Sequence, residues 1–130
     1  MRLLISADTH LGSPIRSLAL RNPDLAERLS DASKETFRGI VDLAIEENCD
    51  VLVLAGDSFD NEQPEMRTRS FLLSQLSRAA EAGIPTVLIR GNHDALLNHR
   101  VHGELGENIH LLRKGNASVE LKGVVFHGLS

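Results

Sequence analysis

Short apolar runs alternate with segments of helical periodicity along the first two-thirds of the chain. Arg2 to Ala7, "VLVLA" and "TVLI" are nearly continuous apolar runs, which are typical of strands buried on both faces. Between the first two runs, apolar residues recur every three or four positions and predict a helix of about 15 residues that ends near Asn48. The apolar residues of this helix are Phe37, Ile40, Val41, Ala44 and Ile45.

A second helix is predicted from about Pro64, with Gly83 just beyond its end. Its inner face consists of Leu72, Leu73, Leu76, Ala79 and Ala80. The order β-α-β-α-β favours neighbouring parallel strands joined by right-handed crossovers. From residue 109 onward, "IHLLR", "ASVEL" and "GVVFHG" predict three short strands, and Lys122-Gly123 predicts a hairpin turn between the last two.

Composition places the chain among globular proteins, with 42% hydrophobic and 25% charged residues. No apolar run approaches the roughly 20 residues that a membrane-spanning helix needs, and the first residues do not resemble a secretory signal. With Cys49 as the single cysteine, we expect a cytoplasmic protein in which this thiol is part-buried and inert. The net charge of −4 and the 3% aromatic content argue against a basic nucleic-acid coat or a base-stacking platform.

Polar side chains follow each of the first three predicted strands. The endings read "SADTH", "AGDSFD" and "RGNHD". Because the carboxyl ends of parallel strands share one edge of a sheet, these side chains should converge there. The candidate site residues are Asp8, His10, Asp57, Asn92, His93 and Asp94.

Carboxylate, imidazole and amide ligands suit divalent ions such as manganese, iron or magnesium. Residues 8 and 10 lie on the same side of an extended chain, so Asp8 and His10 can grip one ion. Asp57 could bridge it to a second ion at Asn92. Each ending taken alone is also an ordinary turn or helix cap, since Asp, Asn and Gly favour turns. All three together, each closing its own strand, favour the metal site.

These three endings resemble the first three sequence blocks of the calcineurin-like metallophosphoesterases. "ISADTHLGSP", "VLAGDSFDNEQP" and "IRGNHD" are most similar to the nuclease branch, the DNA repair exonucleases of the SbcD and Mre11 type. The resemblance implies an α/β fold, a metallophosphoesterase-type sandwich of mixed sheets flanked by helices. It also implies metal-dependent hydrolysis of phosphodiesters, with DNA as the favoured substrate.

The resemblance further implies two divalent metal ions, usually Mn²⁺, with Mg²⁺, Fe²⁺ or Zn²⁺ as alternatives. Asp8 and His10 would hold the first ion, Asp57 would bridge both ions, and Asn92 would hold the second. His93 would be the acid-base residue beside the scissile phosphate, and Asp94 would orient it.

The family pattern continues with further histidine blocks that this chain lacks. We therefore expect residues 1–130 to be the N-terminal portion of a phosphoesterase domain that is incomplete at its C-terminus. Missing strands would leave apolar surface and a sheet edge uncovered, so we expect the isolated chain to associate, for example as a homodimer. The remaining histidines, His99, His102, His110 and His127, are more typical of surface or strand positions than of ligands.

Two other functions remain open on the same fold. One is hydrolysis of small phosphodiesters or phosphoproteins, and the other is a non-catalytic phosphoesterase-like scaffold. The presence of His93 favours an enzyme over a scaffold. Resemblance to the nucleases also implies a coiled-coil ATPase as partner. The short apolar runs predict no association with a membrane.

Overall fold

Four parallel strands form the central sheet of the protein in the computed structural model, which describes residues 1–12, 16–58, 66–90 and 105–128, with the backbone only for residues 16–18. The strands lie side by side in chain order. They are β1 (Leu3–Ser6), β2 (Val51–Ala55), β3 (Thr86–Ile89) and β4 (Ile109–Leu112). The edge where all four strands end is called the carboxyl edge here, and the edge where they begin is the amino edge.

Three helices accompany the sheet. They are α1 (Arg16–Arg21), α2 (Pro23–Glu46) and α3 (Met66–Glu81). Asn22 caps α2, because its side-chain oxygen accepts a hydrogen bond from the Leu25 N–H at 3.1 Å. Beyond α3, Gly83 has a left-handed backbone (φ +78°), and its N–H donates to the Ala80 carbonyl at 2.9 Å. Among the described residues, no helix combines the length and apolarity needed to cross a membrane.

The sheet is packed on both faces. On one face, Leu52, Leu54 and Leu88 pack with α2 and α3 in a core that also holds Phe37, Val41, Ala44, Cys49, Leu72, Leu76 and Ala79. On the other face, Val51, Val53, Val87 and Leu112 form a second cluster, covered by Val119, Leu121 and Phe126. These covering residues belong to an antiparallel hairpin, β5 (Ser118–Leu121) and β6 (Val124–His127).

The predicted Lys122-Gly123 turn joins β5 to β6, and both residues have positive φ (+50° and +78°) as two-residue hairpin turns require. At the other end of the hairpin, Gly128 touches the sheet. A Cβ placed on Gly128 would lie 2.9 Å from the Leu112 Cβ, so only glycine allows this approach.

The α/β fold, the alternation of strands and long helices from β1 to β3 and the final hairpin agree with the predictions from sequence. Two details were wrong. α2 begins at Pro23, well before the predicted start, and a further short helix, α1, precedes it. β1 is only half-buried, since Ile5 is 64% exposed. "IHLL" is a strand, as predicted, and joins the main sheet as β4, where His110 is half-buried and shares a face with buried Leu112.

Candidate metal centre

The chain segments that follow β1 and β2 run side by side at the carboxyl edge. The Asp8 N–H donates to the Gly56 carbonyl at 3.3 Å, and the His10 N–H donates to the Asp57 carbonyl at 3.0 Å. The next contact continues the series, as the Leu11 N–H donates to the Ser58 carbonyl at 2.9 Å. These backbone hydrogen bonds fix the loop that carries Asp8 and His10 against the loop that carries Asp57.

Three site residues have left-handed backbones, an uncommon conformation for residues other than glycine. φ is +53° at Asp8, +42° at His10 and +47° at Asp57. The expectation that Asp8 and His10 meet because they alternate along an extended chain was therefore wrong in its reason. They converge because the chain turns at each of them. Such conformations persist where the surroundings enforce them, and they are enriched at functional sites.

The hydrophobic core holds this loop in place. Leu11 is only 1% exposed and packs in the helix-side cluster. At Gly12, where φ is +68°, an added Cβ would lie 2.7 Å from the hydroxyl oxygen of Thr68, which is buried at the start of α3. The chain thus approaches α3 at Gly12 more closely than a residue with a side chain would allow.

Asp8, His10 and Asp57 offer ligand atoms that all lie within 4.8 Å of one another. The Nε2 atom of His10 lies 3.9 Å from an oxygen of Asp8. Ligands of one six-coordinate ion at about 2.1 Å are separated by about 3.0 Å when adjacent and about 4.2 Å when opposite. The spacing and the donor set of two carboxylates and one imidazole therefore fit a divalent ion after small side-chain rotations.

The remaining predicted site residues, Asn92, His93 and Asp94, lie outside the described residues, as do His99 and His102. The chain before these residues is described as far as Arg90, which directly follows β3. β3 lies next to β2 in the sheet. β2 leads directly into Asp57, so Arg90 follows the strand next to the one that carries Asp57.

The other two histidines lie apart from this group. His110 is in the middle of β4, two strands from β2, and burial lowers its pKa below the ordinary value of 6.5. The imidazole of His110 is therefore neutral at neutral pH. His127 is exposed at the end of β6. Neither contributes to the group at Asp8.

A cavity of about 360 Å³ adjoins Asp8 on the helix side of β1. Thr9, Ser33 and Thr36 give it a partly polar lining. The hydroxyl groups of Ser33 and Thr36 donate to carbonyls of their own helix, Ser30 and Ala32 respectively. Sequence reasoning missed these two residues, because only the tertiary packing of α2 against β1 brings them to the site.

The family model for calcineurin-like phosphoesterases matches residues 1–128 of the chain. Among curated relatives, an uncharacterized metallophosphoesterase, YhaO of Bacillus subtilis, is 33% identical over 106 residues, which are 82% of this chain and 26% of the relative. The DNA double-strand break repair protein Mre11 of Sulfurisphaera tokodaii is 30% identical over 135 residues, covering 99% of this chain and 33% of that protein.

The SbcD component of the nuclease SbcCD of B. subtilis is 33% identical over 97 residues, which are 72% of this chain and 22% of that component. The chain thus spans between a fifth and a third of the length of these three relatives. Of the three names, one describes DNA double-strand break repair and one describes a nuclease.

Proposed function

Because the chain belongs to the calcineurin-like phosphoesterase family, we propose that it hydrolyses phosphodiesters with two divalent metal ions and that its substrate is DNA. The observation that carries the proposal is the grouping of Asp8, His10 and Asp57 within 4.8 Å at the ends of two adjacent strands. Two carboxylates held this close repel each other unless a cation lies between them.

In this proposal, Asp8 and His10 hold the first ion, Asp57 contacts both ions and Asn92 holds the second. The bound ions would offset the negative charge of the phosphodiester and lower the pKa of water at the site. Mn²⁺ is the proposed metal. The backbone hydrogen bonds between the two loops keep Asp8 and Asp57 in place before any ion binds, so little ordering is left for binding to supply.

The proposed hydrolysis forms a bond between a water oxygen and phosphorus and breaks the bond from phosphorus to the leaving oxygen. His93 is proposed to donate the proton that the leaving oxygen needs, since histidine is a common acid-base residue at neutral pH, and the proton lost by the attacking water passes to bulk water. Asp94 is proposed to orient the His93 ring. This assignment rests on the resemblance of "GNHD" to the family.

The names of the relatives support a role in DNA repair as a nuclease. By the same resemblance, we infer a coiled-coil ATPase as partner. The cytoplasmic location and self-association expected from the sequence remain predictions. The matched segment makes up 22–33% of these relatives, so these roles are proposals for the whole protein.

The first experiment measures Mn²⁺-dependent hydrolysis of bis(p-nitrophenyl) phosphate. We expect His93→Ala to lower kcat by about 10²–10⁴-fold, the usual contribution of an acid-base group. Asp57→Ala should lower kcat by at least the same factor. Calorimetric titration with Mn²⁺ separates the two roles, since Asp57→Ala should lose metal affinity and His93→Ala should keep it.

Asp50→Asn provides the matched control, because this aspartate lies at the amino edge and should leave both hydrolysis and Mn²⁺ affinity unchanged. A folded protein that binds no Mn²⁺ would contradict the proposal. Mn²⁺ binding without any hydrolysis would also contradict it and would favour the non-catalytic scaffold.

A further inference from the structure

The cavity of about 360 Å³ between the end of β1 and the middle of α2 lies directly beside Asp8. Asp8 belongs both to the lining of this cavity and to the Asp8–His10–Asp57 group. The volume falls within the range of about 300–1,000 Å³ that is usual for small-molecule sites. A phosphodiester whose phosphate lies at the group therefore has room in the cavity for one of its two ester groups.

Residues of α2 reach the cavity because this helix is much longer than the strand beside it. Its end lies at the amino edge, where Glu47 accepts a hydrogen bond from the Arg2 guanidinium at 2.9 Å. A helix rises about 1.5 Å per residue and a strand about 3.3 Å, so about nine residues of α2 span the length of β1. Earlier residues of α2, among them Ser33 and Thr36, therefore lie beside the loop that carries Asp8.

The lining combines apolar and uncharged polar side chains. α2 contributes the apolar residues Phe37 and Ile40, and Phe37 is also part of the helix-side core. Ser33 and Thr36 are the polar residues of the same helix. Among the described residues that line the cavity, Asp8 alone carries a charge. With no cation among them, the cavity suits an uncharged ester group and not a second phosphate.

The two hydroxyl groups on α2 have already committed their protons. Ser33 Oγ donates to the Ser30 carbonyl at 2.7 Å, and Thr36 Oγ1 donates to the Ala32 carbonyl at 2.9 Å. A hydroxyl has a single proton to donate but two lone pairs that accept. Both oxygen atoms can therefore accept a hydrogen bond from a ligand, and neither can donate one while its bond to the helix is kept.

We propose that this cavity binds one ester group of the substrate and that Ser33 and Thr36 select an ester group that carries an amino group. The inference rests on the proposed function and deepens it, because it states which nucleotides the site prefers. A base with an amino group, such as cytosine, can donate to the two hydroxyl oxygens. Thymine or uracil has a carbonyl oxygen in place of that amino group, and this acceptor would face two further acceptors without a partner.

Isothermal titration calorimetry with two nucleotides tests the proposal. Deoxycytidine monophosphate and deoxyuridine monophosphate share the phosphate and the sugar, and an amino group on one base stands where the other has a carbonyl oxygen. With Mn²⁺ present, the wild-type protein should bind deoxycytidine monophosphate about fivefold more tightly, which is the effect of about one hydrogen bond. Equal affinities, or no binding of either nucleotide, would overturn the inference.

Thr36→Val combined with Ser33→Ala removes both acceptors and nearly keeps the shape of the cavity wall. In this double variant the preference should fall below about twofold, and the loss should fall on deoxycytidine monophosphate. A purely structural role of the two residues would instead lower both affinities by the same factor. Thr36→Ser keeps both hydroxyl oxygens and should keep the preference. A double variant with the full preference would refute the role of the two hydroxyl groups.

Ser74→Ala is the matched control. The Ser74 hydroxyl makes the same kind of bond within α3, to the Phe71 carbonyl at 2.7 Å, and Ser74 does not line the cavity. Ser74→Ala should therefore retain the preference of the wild-type protein. A loss of preference in this control would show that helix hydroxyl groups act on binding from outside the cavity, and the assignment to Ser33 and Thr36 would fail.

Hydrolysis of bis(p-nitrophenyl) phosphate by the wild-type protein separates this inference from the proposed function. A protein that prefers deoxycytidine monophosphate through Ser33 and Thr36 but hydrolyses no diester would retain the selective cavity and refute the hydrolase. A protein that hydrolyses the diester but binds both nucleotides equally would retain the hydrolase and refute the selective cavity.

Discussion

The two edges of the central sheet both carry charged residues, but they arrange them in opposite ways. At the amino edge, Asp50 accepts a hydrogen bond from the Arg2 N–H at 2.6 Å and another from Lys122 Nζ at 3.1 Å. The Arg2 guanidinium also pairs with Glu47 at 2.9 Å. At the carboxyl edge, two carboxylates, Asp8 and Asp57, come within 4.8 Å of each other.

This difference separates a structural edge from a functional one. Opposite charges at the amino edge join the start of β1, the end of α2 and the hairpin turn, so they favour the folded chain. At the carboxyl edge, the left-handed backbones of Asp8, His10 and Asp57 cost free energy and are tolerated because the surrounding loops are fixed. Proteins that keep grouped carboxylates on such backbones gain from them when a cation binds.

Glycine replacement gives the largest expected contrast between the edges. Gly12 and Gly123 both have positive φ, +68° and +78°. Gly123→Ala, at the amino edge, meets no atom within 4 Å and should cost only the left-handed backbone, about 1–2 kcal/mol. Gly12→Ala also collides with Thr68, so its free energy of unfolding should fall by about 2–5 kcal/mol. Urea unfolding of both variants measures the difference.

Thr68→Ala tests the cause of the Gly12→Ala effect. If the collision with Thr68 is responsible, the double variant should be more stable than the two single effects predict, with a coupling of about 1 kcal/mol or more. If Gly12→Ala and Gly123→Ala lower the free energy of unfolding equally, the loop after β1 can move away from α3. The site would then not be preformed.

Metal ions should stabilise only the carboxyl edge. Mn²⁺ at a hundred times its dissociation constant should raise the free energy of unfolding by about 2.7 kcal/mol, since it binds the folded state. Asp57→Asn should abolish this gain. In EDTA, Asp57→Asn should lose less stability than Asp50→Asn, because it also removes one of two neighbouring carboxylates and asparagine tolerates left-handed φ.

Asp50→Asn should behave in the opposite way. It loses an acceptor at the amino edge, so it should be less stable than wild type in EDTA while keeping the full gain from Mn²⁺. Thermal unfolding of wild type, Asp57→Asn and Asp50→Asn, each with and without Mn²⁺, gives the six stabilities to be compared. A loss of stability for Asp57→Asn in EDTA that equals the loss for Asp50→Asn would show that the carboxyl edge is also held together by its carboxylates.

Much of this arrangement follows from sequence, and its failures have physical reasons. The convergence of Asp8, His10 and Asp57 was predicted because parallel strands must end at one edge. The start of α2 was missed because its first turns carry little buried apolar surface: Leu25 and Leu29 remain 38% and 42% exposed. Asn22-Pro23, a cap followed by a proline at the first helical position, is the local signal that marks it.

The exposure of β1 and the left-handed backbones could not be predicted in the same way. Strand composition does not reveal which strand lies at the edge of a sheet, and Ile5 looks like a core residue until its neighbours are known. Positive φ at Asp8 and His10 depends on hydrogen bonds to Gly56 and Asp57, which are far away in sequence.

Acid should reveal the smallest effect, at the amino edge. The Arg2 N–H, followed by the Lys122 ammonium, lowers the pKa of Asp50 below its ordinary value of 3.8. Because the folded pKa is the lower one, the ionised carboxylate stabilises the fold above pH 3.8, and this contribution is lost as the pH falls through the folded pKa.

The stability difference between wild type and Asp50→Asn should therefore be constant near neutral pH and shrink in acid. Added salt should reduce the Lys122 share, since Asp50 is partly exposed. Urea unfolding across a pH series measures the stability difference between wild type and Asp50→Asn. A difference that persists in strong acid would show that packing, not charge, joins Asp50 to Arg2.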